Sequence, residues 1–276
     1  MSTVPSLRSA AFFDLDKTII ARSSAFAFSR PFYAGGLITR RAVLRSAYAH
    51  FLYLAGGADY DQVERMRRYL SDLCTGWNVA QVREIVAETL GSIIQPTVFH
   101  EATALIDDHH AAGRDVVIVS TSGIEVVQPI GTMLGADHVI ATRMVIQDGR
   151  FTGEIAYYAY GEEKARAVRD LAAERGYDLA TSYAYSDSVT DLPMLHTVGH
   201  PVAVNPDRSL RREAIALGWP VLDFTHPISL RSRVGERMAK VPAPSRSAVT
   251  VAAVTAGVAT AGVVWLALRR RGSRPS

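Results

Sequence analysis

The stretch Ala10-Ala11-Phe12-Phe13-Asp14-Leu15-Asp16-Lys17-Thr18 decides how this chain is read. Its first five residues form an apolar run of strand length. Two carboxylates at i and i+2, Asp14 and Asp16, close that run. In an open α/β sheet, ligands gather beyond the C-terminal ends of the strands. A turn at this point would let both acids face one ligand, where they could hold a divalent cation or divide nucleophilic and acid–base roles. A strand end with two solvated acids is the plainer reading of the same residues.

Outward from this stretch the pattern repeats. Glu101–Ala112 has helical character, stops at Gly113 and leads into the strand Asp115–Ser120 (DVVIVS), which runs on into Thr121, Ser122 and Gly123. Hydroxyls and backbone N–H groups at a strand end can hold a phosphate. A second helix, Glu162–Arg175, carries Lys164 near its start and precedes the strand Thr181–Ser186. After that strand comes Ser186-Asp187-Ser188-Val189-Thr190-Asp191, with two acids at i and i+4, and a short helix Leu192–Leu195. An N-terminal helix cap is the structural role open to Asp191. Strands at Val202–Val204 and Val221–Phe224 flank a helix over Asp207–Leu217 that stops at Gly218, and Met144–Ile155 reads as a hairpin around Asp148-Gly149. Strands alternating with helices predict a Rossmann-like parallel sheet with helices on its faces, an α/β fold.

Ala21 to about Ile94 breaks that alternation. Its periodicity is helical, through Leu44, Tyr48, Phe51 and Leu52, then Val63, Met66, Tyr69, Leu70 and Leu73. This predicts an inserted helical domain over 21–94, with the core formed by 1–20 and 95–230. Ten of the chain's 23 aromatic residues lie between Phe26 and Trp77. They either form the core of that insertion or, in part, line a pocket for an apolar substrate.

Charge is distributed unevenly. Residues 231–276 hold nine Lys/Arg and one acid, Glu236, leaving 21 bases and 26 acids in residues 1–230. The body is mildly acidic, so a nucleic-acid-binding role loses its electrostatic support. The single cysteine, Cys74, excludes an internal disulfide and a cysteine-based zinc site. The His residues show no metal-ligand spacing, and His109-His110 sit at a helix C-terminus, where positive charge is favourable. Lysine is scarce, with only Lys17, Lys164 and Lys240 against 27 arginines. A compact ammonium can neutralise a phosphoryl oxygen and a carboxylate together.

Ser247–Leu268 is 22 residues without a charge, long enough for a helix across a hydrocarbon core. It is read as a single-pass transmembrane helix, preceded by a basic linker, 231–246, and followed by a basic tail, 269–276. Ala253, Gly257 and Ala261 form a small-residue face on which two such helices could weakly self-associate. The N-terminus shows no secretory signal, which places the body on the cytoplasmic side.

Acid pair, hydroxyl, lysine and acid pair occur in this order, three of the four at strand ends. The conjunction resembles the haloacid dehalogenase (HAD) superfamily, whose motifs are D-x-D-x-T, a Ser/Thr, a Lys and a paired-acid loop. An insertion between the first two motifs is similar to that family's C1 cap, and His200–Phe224 resembles the phosphoserine-phosphatase-like subfamily IB. The resemblance implies Asp14 as nucleophile, Asp16 as general acid and base, and Ser120 and Lys164 as phosphate-binding residues. It also implies Mg²⁺ held by Asp14, Asp16 through its carbonyl, and Asp187, with Asp191 in support. Two departures stand out. Ser186 and Ser188 replace glycines of the fourth loop, and Ser23 stands where phosphoserine phosphatases carry a Glu for the substrate amine. The expected function is therefore a membrane-tethered, Mg²⁺-dependent phosphomonoesterase acting on a small-molecule or lipid-derived phosphate. A phosphatase of a soluble metabolite, a phosphotransferase and a membrane-bound regulatory protein are the alternatives.

Overall fold

A computed structural model describes residues 8–38, 67–68 and 71–227, without the side chains of Ala25 and Phe26. The linker, transmembrane helix and tail expected over 231–276 lie outside the described residues, as do the periodicities at Leu44–Leu52 and at Val63, Met66, Tyr69 and Leu70. Among the described residues no helix is long and apolar enough to cross a membrane.

Seven strands form one sheet. They are β1 (Ala10–Asp14), β2 (Asp115–Gly123), β3 (His138–Gln147), β4 (Arg150–Tyr157), β5 (Tyr183–Ser186), β6 (His200–Val204) and β7 (Val221–Leu222). Their order is β4-β3-β2-β1-β5-β6-β7, and all neighbours are parallel except β3 and β4. β1 lies inside the sheet, paired with β2 from Ala10↔Asp115 to Asp14↔Val119 and with β5 from Ala11↔Tyr183 to Phe13↔Tyr185. The apolar residues of β1 are buried on both faces, as a central parallel strand requires. Ala11 and Phe13 join one core layer, and Ala10 and Phe12 join the other.

The helices are α1 (Ser24–Ala27), α2 (Ser29–Ala34), α3 (Val79–Ile93), α4 (His100–Ala111), α5 (Ile124–Leu134), α6 (Glu162–Arg175), α7 (Leu192–Leu195) and α8 (Arg208–Leu217). The predicted helices over 101–112, 162–175 and 207–217 are thus present within a residue, with Asp207 capping α8 by accepting from the N–H groups of Ser209 and Leu210. Two corrections concern the sheet. The strand expected over Thr181–Ser186 starts at Tyr183, because Leu179–Thr181 is a 3₁₀ turn capped by Asp178. The hairpin has more than a local role, since the first half of its β3 arm pairs in parallel with β2 before the second half turns back against β4.

Between residues 21 and 94 the described elements are helical. Phe28 and Phe32 stack at 5.9 Å, and Phe32 meets Trp77 edge-to-face at 5.4 Å. Phe28 and Phe32 are buried in the core, which settles the choice between core and pocket for these two in favour of the core. The segment ahead of α3 adds itself to the tip of the hairpin: Gly76 N–H donates to Phe151 O, Phe151 N–H to Trp77 O, and Val79 N–H to Gly149 O, at 2.8, 3.1 and 3.0 Å. Main-chain bonds of this kind fasten the helical insertion to the sheet's β4 edge.

Candidate active site

The C-terminal ends of β1, β2 and β5 bring together Asp14, Asp16, Ser120, Asp187 and Asp191, and α6 supplies Lys164. Asp14 is the last residue of β1 and is buried. Gly161, at φ 53°, turns the chain into α6, so that Lys164 lies in the first helical turn. That conformation suits glycine because a Cβ disfavours it. Lys164 is only 2% exposed, and its Nζ donates to Asp14 Oδ1 at 2.7 Å and to Asp191 Oδ2 at 2.9 Å. A solvated base at a helix start is thereby excluded.

Asp191 occupies the N-cap position of α7, yet its side chain makes no capping bond. It accepts instead from Lys164 and, at 2.7 Å, from Ser186 Oγ. The two serines that replace glycines stiffen the loop with hydrogen bonds of their own. Ser186 Oγ accepts from Ser188 N–H at 3.2 Å, and Ser188 Oγ accepts from Thr190 N–H at 3.3 Å. Asp207 clamps the same loop, donating its N–H to Asp187 O at 2.7 Å and accepting from Val189 N–H at 2.9 Å. Locally Asp207 has only the pattern of a helix start, because its second role depends on a loop 18 residues away.

β2 departs from its register with β3 between Ser120 and Gly123. Such an irregularity re-aims side chains at a sheet's rim. Ser120 stays buried, its Oγ accepting from Ser122 N–H at 3.2 Å. Thr121 Oγ1 donates to Ala159 O at 2.8 Å, while Ser122 Oγ lies 3.4 Å from Asp16 Oδ2. Asp16 also accepts from Ser24 N–H at 2.8 Å on Oδ1 and from Ser23 Oγ at 3.4 Å on Oδ2. Ser24 went unnoticed in the sequence, since a lone serine at a helix start signals capping and nothing more.

Electrostatically the cluster is short of positive charge. Four carboxylates, Asp14, Asp16, Asp187 and Asp191, gather around one buried ammonium. Burial pushes the Asp14 carboxyl up to about 7, against the pull of Lys164, and the Asp191 charge adds to the rise. Burial and then the Asp14 charge push Asp187 up to about 8, with Lys17 pulling the other way. Burial also raises Asp16, held back first by the Ser24 backbone N–H. Burial works against the charge on Lys164, but Asp14 and Asp191 outweigh it and keep the ammonium protonated. Among the described residues no group of three or more His, Cys, Asp or Glu side chains is arranged as a metal cluster. The donor set is nonetheless one of hard oxygens with excess negative charge, and the Asp187 carboxylate accepts no hydrogen bond from the described residues. Both features fit a divalent cation of the Mg²⁺ type, which takes one or two carboxylates and keeps several waters.

His109 is a further correction. It is buried, accepts from Arg114 Nε at Nδ1 (2.7 Å) and bonds Tyr185 OH through Nε2 (2.8 Å). Burial, followed by the Arg114 charge, pushes its pKa down to about 4. The residue is neutral there, so the expected benefit of positive charge at the end of α4 does not apply to it. His110 pairs with Asp137 at 3.1 Å.

Fold and site together define an α/β enzyme class, with a strand-end carboxylate, Asp14, held by a buried ammonium. The chain belongs to the haloacid dehalogenase-like hydrolase family, whose model matches residues 11–196, and it is a phosphatase of that family. It is 65% identical to the "inhibition of morphological differentiation protein" of Streptomyces azureus, over 96% of this chain and 95% of that protein. A probable phosphatase of Mycobacterium tuberculosis is 58% identical, over 98% of this chain and 92% of its own length. In fold the chain is similar to a phospho-aspartyl intermediate analogue of phosphoserine phosphatase, with a TM-score of 0.58 at 19% identity, over 83% of this chain and 98% of that one.

Proposed function

We propose that this protein hydrolyses a phosphomonoester in two displacements at Asp14. The observation that carries this reading is the Lys164 ammonium bridging Asp14 and Asp191, with Asp16 two residues beyond the nucleophile. An Asp14 oxygen attacks phosphorus as the ester P–O bond breaks, and Asp16 gives its proton to the leaving oxygen. Asp16 then takes a proton from water as that water attacks phosphorus, the aspartyl P–O bond breaks, and Asp14 is regenerated. Burial favours the protonated form of Asp16, the form the acid role uses. Lys164 and Ser120 hold the phosphoryl oxygens, and the ammonium offsets the repulsion between a phosphate dianion and the attacking carboxylate. Asp14, the carbonyl of Asp16 and Asp187 would hold Mg²⁺, with Asp191 supporting through Lys164. The cation would supply charge neutralisation at the phosphoryl group.

The Ser23 hydroxyl faces Asp16, so this position offers a substrate amine no carboxylate. This supports an ester without an ammonium group over phosphoserine. The uncharged run 247–268 supports tethering to a membrane and, through local concentration, a lipid-derived phosphate as substrate. Phe28 and Phe32, packed in the core, lend the lipid reading no support. The name of the Streptomyces azureus relative favours a second reading, in which the same phosphatase chemistry regulates differentiation.

The test is turnover of a panel of soluble and lipid phosphates by the full chain, with Mg²⁺ and with EDTA, beside Asp14→Asn. Activity in Asp14→Asn above a few per cent of wild type would overturn the mechanism. For the tether, the full chain should stay with membranes through alkaline carbonate and be released by detergent. Recovery without detergent would remove the tether and the lipid argument together.

A further inference from the structure

Three segments meet at Asp16: the turn after β1 that carries it, the start of the helical insertion eight residues on, and the irregular end of β2, 106 residues away. Ser24, fully buried at the first residue of α1, contributes a backbone N–H to Asp16 Oδ1 at 2.8 Å. Its hydroxyl lies 2.8 Å from Ser122 Oγ, and Ser122 Oγ lies 3.4 Å from Asp16 Oδ2. Each hydroxyl has one proton to give. If Ser122 donates to Asp16, Ser24 must donate to Ser122, which makes a directed chain Ser24→Ser122→Asp16.

From this geometry we infer that Ser24 and Ser122 are positioning residues that aim the Asp16 carboxyl at the leaving-group oxygen. The inference rests on Asp16 being the acid and base of the reaction. With Ser24 N–H on Oδ1, the proton to be transferred is favoured on Oδ2. During ester cleavage the Oδ2–H bond breaks, a bond from that proton to the leaving oxygen forms, and the P–O electron pair goes to the same oxygen. Asp16 is left as a carboxylate, the form to which Ser122 and Ser23 donate. The hydroxyl chain thus stabilises the product of proton transfer as well as the angle of approach. Ser24 opens the insertion and Ser122 belongs to the sheet, so the chain is complete only when the two are packed as they are here.

Two probes separate this role from a structural one. A nitrophenolate departs without a proton at neutral pH, whereas a glycerol alkoxide needs one. Both are read as kcat/KM, which ends at release of the leaving group and omits the water step that the two probes share. In the full chain, Ser24→Ala and Ser122→Ala should each lower kcat/KM for glycerol 2-phosphate by about tenfold, a fraction of what a whole general acid contributes. For p-nitrophenyl phosphate they should stay within about twofold. The double variant should be no worse than either single one, because the two hydroxyls act in one chain. Ser24→Thr keeps a hydroxyl and should recover the glycerol 2-phosphate value, which tests the idea even if Ser24→Ala folds poorly. Equal losses on both probes, or no loss on either, overturn the inference. Asp16→Asn is the control: if its kcat/KM too falls equally on both probes, the acid role of Asp16 fails, a result distinct from failure of the serine variants alone.

Discussion

Two buried polar clusters lie one residue apart along the same strands, and they are built to opposite ends. Phe13 stacks on Tyr185 at 4.3 Å and lies edge-on to His109, which is held between Tyr185 and Arg114. One step along β1, Asp14 meets Lys164, and one step along β5, Ser186 meets Asp191. In the first cluster the buried titratable groups are neutral and hydrogen-bonded, because burial drives His109 down and Tyr185 up, away from their charged forms. In the second, one ammonium faces several carboxylates, and Asp14 and Asp187 rise to about 7 and about 8. A balanced cluster stabilises the sheet with what it already contains. An unbalanced one is stabilised by any positive charge brought to it.

The two clusters differ most at Lys164. Lys164→Met should reduce phosphatase kcat by about a thousandfold or more, a loss of the size seen when a preorganised electrostatic group is removed. Lys164→Arg should not restore it, since a planar guanidinium cannot replace a compact ammonium between Asp14 and Asp191. Steady-state turnover of both variants, with circular dichroism to check folding, decides this. Recovery by arginine would reduce the site to a matter of charge alone.

A smaller effect separates the clusters by pH and metal. Asp14 and Asp187 have folded pKa values above their unfolded ones, so the folded state holds more protons in between. Metal-free stability from this site should therefore fall as pH rises from about 4 through 7–8. Added Mg²⁺ should oppose the fall, and the Tm difference between Mg²⁺ and EDTA should widen from pH 5 to 8. Asp187→Ala should narrow it. A Tm difference independent of pH would show that the cation, if bound, is not neutralising these acids.

His109 should behave in the opposite sense. Its folded pKa of about 4 lies below the unfolded value, so its contribution to stability is lost as pH falls from about 6.5 towards 4. His109→Phe should remove that acid-side slope, lower stability at pH 7 by about 1–2 kcal/mol through the partners left unbonded, and change kcat by less than tenfold. Denaturant titrations between pH 4.5 and 7 measure the slope. The smallest effect belongs to neither cluster: Arg169→Ala removes a half-exposed ion pair with Glu162 on α6 and should alter stability by less than about 0.5 kcal/mol, with activity unchanged.

How far these clusters could be read in advance follows from the range of their interactions. Asp14, Asp16, Ser120, Lys164, Asp187 and Asp191 stand at strand ends and one helix start, and those positions follow from local apolar runs and glycine stops. The partner of each was another matter. Asp191 has the spacing of a helix cap, and only the packing of α6 against the β5 loop turns it towards Lys164. Ser24 and Ser122 are 98 residues apart, and nothing local distinguishes them from many other serines. The β3 strand was half hidden, because its first residues sit between β2 and a hairpin signal that accounted only for the second half.

The amino-acid sequence alone was enough for the alternating α/β core, the helices at the described ends of the insertion, the strand ends at which acids gather and the uneven charge of the tail. These rest on periodicity, chain stops and composition, which act over a few residues. Packing alone settles that Lys164 is buried between two carboxylates, that His109 is neutral, that Phe28 and Phe32 belong to the core, and that Ser24 reaches Asp16. Each of these depends on burial and on contacts between distant segments, and the desolvation that sets a charge state exists only once the elements have packed.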